Sequence, residues 1–61
     1  MTPYQYVEQY KIALLKSTPS QLEQERVDLR NNFKGDNREF DAAWRLFIAV
    51  NEGKFLNDNR V

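Results

Sequence analysis

Two four-residue segments punctuate the chain in the same way, Thr2-Pro3-Tyr4-Gln5 and Thr18-Pro19-Ser20-Gln21. In each, the threonine hydroxyl can accept a backbone N–H at the N-cap of a helix. The proline at the first helical position has no N–H to lose, and the glutamine can reach back to the cap. Asp36-Asn37-Arg38-Glu39 offers a third start, with an acidic residue in the first turn. Gly35 and Gly53 fall where the second and third segments should stop, because the residue past a helix end commonly takes positive φ. The pattern predicts an all-α, three-helix bundle, with helices over about 3–16, 19–34 and 37–52 and a short C-terminal tail. No run of residues alternates apolar and polar well enough to predict a strand. The residues after the two Thr-Pro-x-Gln segments do not match, so these are separate caps and not a repeat.

The three helices differ in how much of their circumference is apolar. At 100° per residue, Tyr4, Tyr6, Val7, Tyr10, Ala13, Leu14 and Leu15 of the first spread over about 200°, interrupted by Lys11. The second carries a narrow stripe of Leu22, Leu29 and Phe33, with Val27 opposite. On the third, Phe40, Ala42, Ala43, Trp44, Leu46, Phe47, Ile48 and Val50 cover about 240°. Its polar strip is Arg38, Asp41, Arg45 and Glu52, with Ala49 among them. A surface helix needs an apolar stripe little wider than about 100°.

That excess has to be covered. The chain is 61 residues long, one domain by size, and domains of this length bury only about 60% of their unfolded surface. Disulfide staples are excluded because there is no cysteine. Association is the simplest remaining cover, and the sequence predicts a homodimer joined through the first and third helices. The alternative is a monomer whose tail residues Phe55 and Leu56 fold back over the third helix.

Charge narrows the function. Lys11, Lys16, Arg26 and Arg30 balance Glu8, Glu23, Glu25 and Asp28 in residues 1–30, and residues 31–61 balance in the same way. Neither half has the basic footprint of a nucleic-acid binder. The turn at Gly35 invites a helix-turn-helix reading, but a recognition helix presents a basic outer face. Here Arg38 and Arg45 alternate with Asp41 and Glu52. No apolar run approaches the roughly 18 residues of a membrane span. The first residues have neither a basic n-region nor an apolar h-region, so no signal peptide is expected and the cytoplasm is the expected compartment.

Chemistry is equally constrained. With no His and no Cys, the usual zinc sites and the His- or Cys-based catalytic pairs are excluded. The two glycines are isolated, so there is no phosphate-binding loop. Asp36, Glu39 and Asp41 cluster around a helix start, which capping explains without a metal. No catalytic, cofactor or metal site is expected, and the chain reads as a non-enzyme.

The expected role is protein–protein contact, as an accessory or regulatory protein of bacterial, phage or plasmid type. The competing reading is a small DNA-binding or transcription-modulating helical protein. The candidate partner-binding residues are Tyr4, Tyr6, Tyr10, Arg38, Asp41 and Arg45. Tyrosine and arginine dominate interface energies, and most of these positions lie off the most apolar sectors of their helices. The partners expected are a second copy and an unidentified protein, with neither nucleic acid nor membrane. The core is expected around Phe40, Trp44, Phe47 and Leu29. Phe47→Ala should therefore cost about 3–5 kcal/mol, a large share of a small domain's stability. Chemical denaturation checks it, and a loss near zero would mean that the inner face of the third helix is assigned wrongly.

Overall fold

The computed structural model describes residues 2–56, and its regular structure is entirely helical. Helix α1 spans Pro3–Glu8, α2 Lys11–Lys16, α3 Pro19–Asn32 and α4 Asn37–Val50. Residues 57–61 of the expected tail lie outside the described residues.

The capping signals set the helix starts. Thr2 Oγ1 accepts the Gln5 N–H at 3.1 Å, and Gln5 Oε1 accepts the Thr2 N–H at 3.1 Å. Thr18 and Gln21 make the same reciprocal pair at 3.2 and 2.9 Å. Asp36 Oδ1 caps α4 by accepting the Arg38 N–H at 2.8 Å.

The first expected helix is two helices, which corrects the count from three to four. Gln9 and Tyr10 interrupt it. The Tyr10 N–H bonds the Val7 carbonyl, three residues back, at 3.0 Å. Tyr10 itself leaves the helical region at φ −102°, ψ 12°. No glycine or proline marks the break. A helix of about 14 residues is marginal alone, so tertiary contacts decide its course. Both halves reach the core, through Val7 of α1 and Leu14 of α2. α1 packs along α4, whereas the Leu15 carbonyl of α2 accepts the Leu56 N–H of the tail at 2.6 Å. Helices α3 and α4 stop at Asn32 and Val50, just short of the expected ends.

The two glycines serve different ends. Gly53 has φ 85°, as a residue past a helix end should. Gly35 is not left-handed, contrary to the expectation for a helix stop. A Cβ there would instead lie 2.7 Å from Phe33 Cε2, so a larger residue would have to displace the Phe33 ring.

The core is Val7, Leu14, Leu29, Phe40, Ala43, Trp44 and Phe47. All four residues expected at its centre are buried. Phe47 has ring neighbours in Tyr4 at 6.5 Å, Trp44 at 6.3 Å and Phe55 at 6.4 Å. Phe40 sits among Tyr6, Phe33 and Trp44. Phe55 thus folds back onto α4 as the monomer reading supposed, while the Leu56 side chain stays exposed. Asn51 is buried just past α4, and its Nδ2 donates to the Phe47 carbonyl at 2.9 Å.

Tyr6 closes the end of α3 from another helix. The Phe33 N–H turns to the Arg30 carbonyl at 3.3 Å, so the Leu29 carbonyl loses its usual donor four residues on. The Tyr6 hydroxyl donates to it at 2.9 Å. Burial pushes the Tyr6 phenol above its ordinary pKa, and a charge on neighbouring Tyr10 would push it further. A raised pKa means that the fold favours the neutral phenol. This contribution is complete below about pH 10 and is lost as the pH rises through the folded value. Tyr6→Phe should cost about 1 kcal/mol at pH 7. It should also lessen the fall in stability at alkaline pH. Denaturation at neutral and alkaline pH checks both, and an unchanged neutral stability would contradict the capping role.

Candidate interaction surface on helix α4

Helix α4 is apolar on two sides, and the fold uses one. Phe40, Ala43, Trp44 and Phe47 point inward and are buried. Ala42, Leu46, Ala49 and Val50 follow the i, i+4, i+7, i+8 spacing of a single stripe and are exposed. Leu46 is 52% exposed and Val50 53%, so each has about half its side chain still in water. Other exposed apolar residues, such as Ile12 on α2 and Val27 on α3, lie on other helices, and isolated ones are ordinary on a protein surface.

The two edges of this stripe differ in chemistry. On one edge stand the exposed Arg38 and Arg45. This is the side of α3, where Arg30 Nε lies 3.2 Å from Asp41 Oδ1. The contact is an ion pair without an aligned hydrogen bond, because the Arg30 N–H does not point at the carboxylate. Beyond it, Arg26, Asp41, Trp44 and Arg45 line a crevice of about 270 Å³. Arg26 is already paired with Glu23, whose hydrogen bond holds the guanidinium above and the carboxyl below their ordinary pKa values.

The other edge is largely apolar. Thr2, Pro3 and Tyr4 of the first turn stand beside Glu39, Ala42, Ala43 and Leu46, enclosing a shallow groove of about 420 Å³. The Thr2-capped start of α1 builds one wall, and α4 builds the floor.

The six candidate residues are divided among these places. Arg38 and Arg45 border the stripe, and Tyr4 forms the groove wall. Asp41 is half-buried and paired with Arg30. Tyr6 is half-buried, with its hydroxyl committed to Leu29. Tyr10 is exposed at the helix break, its ring edge-on to Tyr6 at 5.8 Å. Tyr6 and Tyr10 thus form a separate cluster with Phe33, away from the groove. Sequence reasoning left Leu46 and Val50 undivided within one wide apolar arc. The structure separates them: Phe55 packs against Phe47, while Leu46 and Val50 stay exposed.

Among the described residues, no three Asp or Glu side chains gather to hold a metal ion, and no helix is long and apolar enough to cross a membrane. No known protein family, curated protein or solved structure matches this chain.

Proposed function

We propose that this chain is a small, non-enzymatic protein–protein interaction module that acts as a homodimer, in an accessory or regulatory role in the cytoplasm. The observation that carries the reading is the exposed stripe of Ala42, Leu46, Ala49 and Val50, bordered by a ready-made groove. An apolar face of this kind rimmed by charge is typical of interaction surfaces. A nucleic-acid role draws less support. Arg26 and Arg30 are already paired with Glu23 and Asp41, and the outer face of α4 is apolar between its two arginines.

Magnitudes set the expected affinity. Burying the exposed halves of Leu46 and Val50 contributes roughly 1 kcal/mol per side chain. Four such side chains fall well short of the roughly 12 kcal/mol of a nanomolar complex, even with the groove added. Association at micromolar or weaker affinity follows. Light scattering after size-exclusion chromatography should give about twice 7.3 kDa at high micromolar concentration, falling toward 7.3 kDa on dilution. The melting temperature should rise with protein concentration. A constant 7.3 kDa with concentration-independent melting would remove the reading.

A further inference from the structure

We infer that the second copy lies parallel to the first, α4 on α4 about a two-fold axis running along the helices, so that Arg38 of each subunit pairs with the partner's Glu39. This rests on the dimer reading and adds its geometry. The argument is where the uncommitted charges stand on the exposed face. Taking α4 at 100° per residue, Ala42 lies near the middle of that face. Arg38 falls about 40° to one side of it and Arg45 about 60°. Leu46, Glu39 and Val50 fall about 40°, 60° and 80° to the other side. All five are exposed, and Arg38, Glu39 and Arg45 make no ion pair among the described residues. The neighbouring carboxylates are engaged. Asp36 caps the helix, Asp41 faces Arg30, and Glu52 has an interaction of its own within the chain.

Symmetry then permits two arrangements. A two-fold axis perpendicular to the helices makes an antiparallel pair and brings like edges together, whatever the register. The two basic edges would face each other. Glu39 would face only the partner's Leu46, Val50 or Glu39, which sets its charge against apolar surface or a like charge. A two-fold axis along the helices makes a parallel pair and brings opposite edges together at equal height. Arg38 and the partner's Glu39 then stand one residue, about 1.5 Å, apart along the axis. Symmetry repeats the pair on the other side, and like charges stay on opposite sides of the interface. The partner's Arg38 arrives at the groove that Glu39 shares with Thr2, Pro3 and Tyr4. Arg45 comes level with the partner's Leu46, where its aliphatic stem can cover the leucine while the guanidinium stays in water. Ala42 and Ala49 each meet their own counterparts at the axis. The parallel helix dipoles oppose this arrangement, but their effect is confined to the terminal turns and screened by salt.

The chain has no cysteine, so introduced cysteines report the orientation directly. On the full chain, Ala42→Cys and Ala49→Cys should each oxidise to a covalent dimer at least about tenfold faster than Ile12→Cys on α2, because a disulfide needs Cα atoms within about 7 Å. An equimolar mixture of the two variants should give mainly the two self-linked species. Arg38→Glu and Glu39→Arg should each weaken dimerisation roughly tenfold, read by analytical ultracentrifugation at about 50 mM salt. The double variant, Arg38→Glu with Glu39→Arg, should return to within about threefold of the original, with circular dichroism confirming that each variant stays helical. Linkage mainly between Ala42→Cys and Ala49→Cys chains, or a double exchange that restores nothing, would overturn the parallel geometry and leave the dimer reading intact. Dimers in which neither variant links faster than Ile12→Cys would overturn the surface as well. A protein monomeric at every concentration would overturn the dimer reading itself.

Discussion

The burial of Phe47 is the interaction on which the other elements depend. Its ring is fully enclosed, with Tyr4 of α1, Trp44 of α4 and Phe55 of the tail around it. Those contacts tie the start of the chain to its last described residues and fix which side of α4 faces inward. Once Phe47 and Phe40 point in, the 100° step of the helix sends Ala42, Leu46 and Ala49 out. The exposed stripe is therefore a geometric consequence of the core. Among the described residues, no further element covers it.

The polar groups follow from the same arrangement. Packing α1 on α4 brings Tyr6 to the end of α3, where it supplies the donor that the Leu29 carbonyl lacks. The Phe33 ring lies close against Gly35 in the α3–α4 turn. The Arg30–Asp41 pair then bridges the two helices beyond that turn. Both side chains are substantially exposed, so this pair aligns the helices more than it stabilises them.

Much of this was legible in the sequence, and the rest was hidden for identifiable reasons. Thr2, Thr18 and Asp36 announce the helix starts because capping is local chemistry, decided within four residues. Phe40, Trp44 and Phe47 announce the core because three aromatics at helical spacing cannot all be left in water. The interruption at Gln9 and Tyr10 leaves no local mark, since neither a glycine nor a proline stands there. Gly35 reads as a helix stop, yet its role depends on where the Phe33 ring lies. The surface was half legible. An apolar arc of about 240° says that α4 has more apolar face than one core needs. Only the placement of α1 and Phe55 divides that arc into a buried side and an open one.

The most direct test of the open side is an isotope-filtered NMR experiment on an equimolar mixture of labelled and unlabelled protein at high micromolar concentration. Intermolecular contacts should run from the Leu46 and Val50 methyl groups to the partner's Ala42, Arg45 and Ala49. Intermolecular contacts confined to Ile12, Val27 or the Tyr6–Tyr10 cluster, or none at any concentration, would contradict the assignment of this face of α4 as the surface through which the protein works.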